Sequence, residues 1–279
     1  MQHAFDVPQT WFIALAALTG LAIGGWLTLL THQLPRMMKR EWQAHCPNAD
    51  HRPAGSYGLN APASCCSRCE APVAGWRKLP LVSWLLLKGR CAVCGVAIGW
   101  RYPAIELLTA ALFAACAWRF GPTPLALCGM ALSAALVALA WIDLESGLLP
   151  DALTLPLIWA GLLVNLGDSF TPLPLAVLGA VAGYGFLWTI FHAWRLCTGK
   201  DAMGYGDFKL LAALGAWFGV DALPMLLLGA SLAALGGDTL ILIGRARPGQ
   251  PLPFGPYLAL AGVAVLVLGG ELELLSLLP

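Results

Sequence analysis

The 279-residue chain is 59% hydrophobic and only 11% charged, with a mean hydropathy of +0.74. This composition excludes an ordinary soluble globular domain and makes the lipid bilayer the solvent for most of the chain. A net charge of +1 gives no sign of the basic face that a nucleic-acid partner requires, so no nucleic-acid partner is expected and the distribution of charge is more informative than its sum.

The first predicted element is a transmembrane helix over residues 11–31. It lacks a basic leading region and is followed by a basic cluster at residues 36–40, which predicts a retained helix with its N-terminus outside and not a cleaved signal peptide. Ten of the sixteen Lys and Arg residues lie within residues 32–103, the one long stretch that is not continuously apolar. The positive-inside rule therefore predicts a cytoplasmic loop there.

Two Cys-x-x-Cys pairs lie in this loop, and twenty-one residues separate Cys66 and Cys69 from Cys91 and Cys94. The spacing is typical of a tetrahedral four-thiolate zinc site, with a glycine after the second pair allowing the tight turn. Metal binding would supply much of the folding free energy of a loop so poor in apolar residues. Two disulfides or unpaired thiols are the alternative, and a reducing cytoplasm disfavours the disulfides. Cys65, adjacent to the first pair, is an alternative ligand.

Between the two cysteine pairs, residues 75–84 combine two tryptophans with basic side chains. An amphipathic stretch of this kind is predicted to lie at the membrane surface, with its indole rings at the depth of the lipid headgroups. The pattern is compatible with a simple interfacial anchor and also with a groove for a substrate.

Seven further apolar runs follow the loop, which predicts an all-α, multi-pass membrane protein with about eight transmembrane helices. The runs cover residues 104–120, 123–142, 152–167, 173–194, 208–219, 222–243 and 256–276. The sixth span is short for a hydrocarbon core of roughly 30 Å, so it is expected to start within the membrane interface or to lie behind other helices.

Alternating orientation of these spans agrees with the positive-inside rule, and Arg119 is the one exception. The basic residues placed inside are Arg195, Lys200, Lys209, Arg245 and Arg247. The predicted organisation is a first helix over residues 1–31, a cytoplasmic tetracysteine loop over 32–103 and a transmembrane domain over 104–279.

Two aspartates are predicted at the cytoplasmic ends of spans. Asp143 ends the third span, and Asp207 begins the sixth after Gly204, Tyr205 and Gly206. An acidic side chain against a bilayer-embedded helix is costly, which indicates a functional role. Two converging carboxyls can share one proton, because like charges a few ångströms apart do not both ionise readily. The ionised partner would activate water, and the protonated one would hydrogen-bond a scissile carbonyl.

The acidic residues also have structural interpretations. Asp207 alone is typical of a helix N-cap, whereas the glycines before it allow a peptide to approach closely and favour a catalytic site. Asp151 is predicted to be the N-cap of the fourth span and Glu145 to be solvated in a loop. Glu106 is either a charge at a helix start or a ligand of a site in the loop. Asp238, inside the seventh predicted span, has no assigned role.

Several longer sequence motifs are distributed along the chain. They are Gly204-Tyr205-Gly206-Asp207 opening a short helix, Asp143 with Leu149-Pro150-Asp151 behind it, the paired cysteines, His32-Gln33-Leu34-Pro35, Leu79-Pro80, Gly89-Arg90-Cys91, Arg101-Tyr102-Pro103 with Glu106, and Pro253-Phe254-Gly255-Pro256. Together these motifs resemble the bacterial type IV prepilin peptidases, a family of GxGD aspartic proteases, over nearly the whole chain.

The resemblance implies that Asp143 and Asp207 form the catalytic dyad of an endopeptidase in the bacterial inner membrane, with the active site and the zinc loop on the cytoplasmic side. It implies prepilin or secretion-pseudopilin precursors as substrates, cut after a glycine that precedes an apolar helix. Family members of the bifunctional type then methylate the new N-terminal residue with S-adenosylmethionine, an activity linked to the cytoplasmic loop.

The chain departs from the family pattern at three places. Residues 24–28 read Gly-Gly-Trp-Leu-Thr where Gly-Ser-Phe-Leu-Asn is usual, Gln33 replaces an arginine, and Glu70 follows Cys69 where Pro and Gly are usual. These places lie away from the two aspartates, so they bear on substrate contacts or methylation before proteolysis.

Two competing functions remain open. One is a peptidase paralogue that has lost methylation. The other is a membrane transporter or secretion-system scaffold, in which Asp143 and Asp207 would be proton or ion sites. Transport predicts more polar groups at mid-membrane than Asp238 alone, so the peptidase is the preferred interpretation.

Overall fold

The computed structural model describes residues 8–44, 84–91, 93–97, 99–199, 203–244 and 253–276. Most of these residues are helical, and the only extended pairing among them is one isolated bridge between Arg90 and Ala97. Eight helices of 14 residues or more run through them: α1 (Gln9–Ala44), α2 (Arg101–Phe120), α3 (Pro124–Ser146), α4 (Asp151–Val164), α5 (Leu173–Thr198), α6 (Tyr205–Phe218), α7 (Leu223–Gly244) and α8 (Gly255–Ser276).

Four of these helices are long and apolar enough to cross a membrane: α1 over Gln9–Lys39, α2, α3 and α5. Shorter apolar stretches occur at Asp151–Gly167, Val220–Gly236 and Gly255–Gly269. The predicted all-helical membrane protein is therefore confirmed, while the total of eight spans stays a prediction. Each predicted span coincides with a helix, and α1 continues through residues 32–44 beyond its predicted end.

The chain divides into two compact units, Met1–Ala126 and Leu127–Pro279. In the first unit, α1 and α2 pack backbone to backbone through Gly20 and Gly24, which form a GxxxG pair on α1. A Cβ at Gly24 would lie 2.6 Å from the Cα of Glu106 on α2. Small residues at this spacing allow the close approach on which helix association in a membrane depends.

In the second unit, α6 packs closely against three neighbouring helices at glycines of those helices. A Cβ at Gly183 of α5 would lie 2.8 Å from the Leu211 carbonyl oxygen, and one at Gly262 of α8 would lie 2.6 Å from the Leu214 side chain. On α4, a Cβ at Gly161 would lie 2.6 Å from an indole carbon of α6. The short α6 thus lies behind other helices, as one of the two sequence-based alternatives expected.

Asn165 fixes the C-terminal end of α6, and its side chain is fully buried at 0% exposure. Its amide nitrogen donates to the carbonyls of Ala216 (2.9 Å) and Trp217 (3.0 Å), which would otherwise lack intrahelical partners. Its amide oxygen accepts from the N–H groups of Phe170 (3.0 Å) and Thr171 (3.3 Å). One side chain therefore joins the end of α6 to the α4–α5 connection.

Candidate active site

Asp207 lies in the first turn of α6, where it is 6% exposed. Gly204 is the N-cap, so Asp207 is the third helical residue and not the cap of the structural alternative. Its carboxylate accepts a hydrogen bond from the Gly204 backbone, and its own N–H donates to the Gly204 carbonyl (3.2 Å). This reciprocal contact resembles one half of a capping box and orients the acid. The positive end of the α6 dipole also favours a carboxylate at this position.

Asp143 lies in the last turn of α3 and is 5% exposed. The C-terminal end of a helix dipole disfavours a carboxylate, so the charge needs compensation from elsewhere. Gly255, the first residue of α8, supplies it: its N–H donates to Asp143 Oδ2 at 3.1 Å. The start of α8 therefore holds the Asp143 carboxylate.

Leu149 lies between the two helix starts that carry these contacts. A Cβ at Gly206 would lie 2.5 Å from the Leu149 Cβ, and a Cβ at Gly255 would lie 3.2 Å from the Leu149 Cδ1. Asp143 accepts from Gly255, which contacts Leu149, and Leu149 in turn contacts the residue before Asp207. The structure thus brings together the two aspartates singled out from the sequence.

The three residues before Asp207 have separate environments. A Cβ at Gly204 would have its nearest neighbour, the Asp207 Oδ2, at 3.9 Å, so there is open space beside this glycine, and its use by a peptide stays a prediction. At Gly206 that space is taken by Leu149 of the same chain and not by a peptide. Tyr205 is 49% exposed, and its ring lies 5.2 Å from that of Phe191 on α5.

Two of the structural assignments made from the sequence are wrong. The N-cap of α4 is Pro150, and Asp151 is the first helical residue, paired with Lys209 Nζ at 2.6 Å. Glu145 lies in the last turn of α3 and not in a loop, where it accepts a hydrogen bond from Trp141 Nε1 (3.0 Å). The partner of Asp151 is distant in sequence, whereas that of Glu145 lies one turn earlier on the same helix, and Glu145 is exposed as predicted.

Glu106 and Asp238 are the remaining acidic candidates. Glu106 lies beyond the first turn of α2 and is almost fully buried at 2% exposure, which corrects its interpretation as a charge at a helix start. The side chain of Asp238 lies outside the described part of the structure, as do residues 75–83 of the amphipathic segment.

The second cysteine pair forms the tight turn expected of a metal-binding hook. The Cys91 N–H donates to the Val96 carbonyl (2.8 Å), and the Cys91 carbonyl accepts from Gly95 (3.0 Å), whose φ is +67°. Two thiols one turn apart fit half of a thiolate zinc site. Cys65, Cys66 and Cys69 lie outside the described residues, and within the described ranges no three potential ligands cluster. The four-thiolate site stays a prediction.

Three residues with structural roles were not identified as such from the sequence: Leu149 and Gly255 near the aspartates, and Asn165 at the opposite end of α6. Leu149 and Gly255 belong to motifs of the family resemblance, but their contacts join segments distant in sequence, and Gly255 lies 112 positions from Asp143. Asn165 carries a weaker signal, since it is a polar residue at the end of an apolar run.

Comparisons with known proteins identify the family of the chain. The sequence model described as the type IV leader peptidase family matches residues 130–237, and that of the bacterial Peptidase A24 N-terminal domain matches residues 18–120. No solved structure matches the chain.

Curated relatives match nearly end to end, and each is named prepilin leader peptidase/N-methyltransferase. The Aeromonas salmonicida (strain A449) protein is 47% identical over 98% of this chain and 96% of its own length. The Neisseria gonorrhoeae protein is 44% identical over 90% of this chain and 88% of its own length. The Pseudomonas aeruginosa protein is 44% identical over 94% of this chain and 92% of its own length. The chain therefore belongs to the type IV leader peptidase family.

Proposed function

We propose that this protein is a bifunctional membrane enzyme that removes the leader from type IV prepilins and then methylates the new N-terminal residue. The observation that carries the peptidase activity is the pair of almost fully buried carboxyls, Asp143 and Asp207, held by the starts of α8 and α6. The names of the relatives combine both activities and favour them over transport or a scaffold role.

Asp143 and Asp207 are the proposed catalytic residues of the cleavage step. Because their charges repel in a site shielded from water, the pair holds one proton between them when a substrate binds. The ionised carboxylate takes a proton from a water molecule, whose oxygen attacks the scissile carbonyl carbon, while the protonated carboxyl hydrogen-bonds the carbonyl oxygen. The peptide C–N bond then breaks, and the released amine takes up a proton.

The finer features of this function rest on the charge pattern and on the family resemblance. The basic stretch at residues 32–103 supports a cytoplasmic location for the loop and the active site in the inner membrane. Prepilins and pseudopilins, cut after a glycine that precedes an apolar helix, are the proposed substrates and partners. S-adenosylmethionine is the proposed methyl donor.

A structural zinc ion held by Cys66, Cys69, Cys91 and Cys94 is proposed for the loop. The turn at Cys91–Cys94 supports the proposal, because two backbone hydrogen bonds close a tight turn around the two cysteines, as expected of a metal-binding hook. Thiolate ligands would neutralise the ion and hold a loop that has few apolar residues of its own.

The function is tested by co-expressing the enzyme with a precursor pilin and measuring the mass of the pilin. The unmodified enzyme is expected to yield a pilin that lacks its leader and carries one added methyl group. Asp143→Asn and Asp207→Asn are expected to slow cleavage at least about 100-fold, because each removes one partner of the acid–base pair. Asp221→Asn, on the exposed turn at the other end of α6, is the matched control and should cleave normally.

The outcomes separate the parts of the proposal. Normal cleavage by either Asn variant would remove that residue from the dyad. A cleaved but unmethylated pilin from the unmodified enzyme would identify a paralogue with the peptidase activity alone, and an uncut precursor would refute the function.

A further inference from the structure

We propose that Leu149 is a positioning residue that sets the separation of the Asp143 and Asp207 carboxyls. The inference rests on the proposed function, because it concerns the geometry of the same site. Leu149 does not touch the reacting atoms, and its role is to fix where the two helix starts lie relative to the end of α3.

The loop that carries Leu149 begins with a closed turn at the end of α3. The Gly147 N–H donates to the carbonyl of Asp143 at 2.8 Å, and Gly147 has a φ of +64°, which a residue with a side chain adopts only with strain. Leu149 follows two residues later, and Pro150 then caps α4. Leu149 is therefore attached to Asp143 through a short loop with little freedom.

The side chain of Leu149 contacts the backbone beside each acid. The place of a Gly206 Cβ lies 2.5 Å from the Leu149 Cβ and 3.2 Å from its Cδ1, and Gly206 immediately precedes Asp207. The place of a Gly255 Cβ lies 3.2 Å from Leu149 Cδ1, and Gly255 donates to Asp143. One leucine thus packs against both α6 and α8, beside Asp207 on one helix and at the residue that donates to Asp143 on the other.

An ion pair joins the first residue of α4, just after this loop, to α6. Lys209 Nζ lies 2.6 Å from Asp151 Oδ1, with side chains that are 25% and 57% exposed. Exposed pairs of this kind contribute little to stability, whereas the Leu149 side chain packs closely against Gly206 in the first turn of α6.

The physical consequence of this packing is a fixed catalytic geometry. Acid–base catalysis by two carboxyls requires both to reach one water molecule, and a displacement of about 1 Å can cost roughly 100-fold in rate. Removing the leucine's branched end leaves a space into which the starts of α6 and α8 can move, so the carboxyls lose their fixed separation. Substrate binding away from the dyad is not affected by that movement.

The test compares Leu149→Ala with Leu149→Met and with Leu157→Ala, in the full-length enzyme acting on a precursor pilin. Leu157 is the matched control because it is a buried leucine of α4. Its carbonyl accepts a hydrogen bond from Trp217, near the C-terminal end of α6 and so at the end opposite Asp207. We expect Leu149→Ala to lower kcat about 10-fold or more with KM changed less than about twofold, and Leu149→Met to restore most of kcat. Leu157→Ala should lower the melting temperature and leave kcat unchanged.

A second variant keeps the test decisive if Leu149→Ala does not fold. Gly206→Ala adds a Cβ that must displace Leu149, so it should lower kcat in the same way without removing any buried group. The inference is overturned if kcat is normal in Leu149→Ala or Gly206→Ala, or if Leu157→Ala lowers kcat equally. Normal cleavage by Asp143→Asn would instead refute the proposed dyad, so the two failures are distinguishable.

Discussion

At the scale of single residues, Gly255 both holds the Asp143 carboxylate and leaves no room for a larger residue. A Cβ there would lie 2.6 Å from Asp143 Oδ2, closer than any normal contact. Gly255→Ala is therefore expected to displace the carboxylate, weaken the 3.1 Å hydrogen bond and lower kcat roughly 10- to 100-fold. Steady-state cleavage of a precursor pilin measures this effect.

The matched control for that substitution is Gly185→Ala on α5. A Cβ at Gly185 would have no neighbour within 4 Å, so the variant should retain normal kcat and a normal melting temperature. If Gly255→Ala cleaves as fast as Gly185→Ala, the backbone contact to Asp143 has no catalytic importance.

The residues that could be recognised from the sequence are those whose charged groups cost free energy to bury in a membrane. Asp143 and Asp207 were identified because a carboxylate beside an apolar run requires an explanation. Asp151 was misassigned because Pro150 takes the N-cap position with ψ of 129°, and Lys209, distant in sequence, pairs with the aspartate. The contacts of Leu149 and Gly255 depend on how helices approach one another, which local patterns do not specify.

At the scale of helices, the clearest dependence is that of α6 on Asn165. Asn165→Ala would leave two buried carbonyls and two N–H groups of the neighbouring segment without the partners they now have. The free energy of unfolding is expected to fall by about 2–4 kcal/mol, since each orphaned buried group costs about 1–3 kcal/mol before relaxation. Thermal unfolding in detergent measures the change.

Thr189, an exposed residue of α5, provides the control for the loss of stability in Asn165→Ala. Thr189 bonds the Gly185 carbonyl of its own helix at 2.7 Å, and Thr189→Ala should change stability by less than about 0.5 kcal/mol. Equal stability of the Asn165 and Thr189 variants would show that α6 does not need this clamp.

Helix positions were predictable from the sequence, because runs of apolar residues must be helical when their backbone groups have no water to bond. Helix ends were less predictable. The first helix continues through residues 32–44 because basic residues are good helix formers and hydropathy does not mark their helicity. The enclosed position of α6 was anticipated from its length, whereas its glycine-mediated contacts required the structure.

At the scale of the whole molecule, the proposed four-thiolate zinc site in the loop can be tested by substitution of one ligand. Cys91→Ser should release bound zinc and expose the loop to proteolysis, because a metal with three thiolates and a hydroxyl is held much less tightly. Metal analysis of the purified enzyme, with limited digestion, measures both effects. Cys197→Ser, an exposed cysteine of α5, is the control, and an unchanged zinc content in Cys91→Ser would discard the four-thiolate site.

Composition and charge asymmetry were sufficient to predict a multi-pass membrane protein, because they reflect the solvent that surrounds the chain. They were not sufficient to predict the division at Ala126, since that boundary falls inside α3 and not in a linker. A continuous helix across a boundary between units has no compositional signature.

The hydrogen bond from Gly255 to Asp143 also bears on the order of events during biosynthesis. During translation the ribosome delivers Asp143 before α8, so the carboxylate lacks its backbone donor until Gly255 has been synthesised. The nascent chain is expected to be inactive over that interval, because the proposed dyad is not yet held in place. Cleavage of a prepilin is therefore expected only from a chain that extends at least through the start of α8.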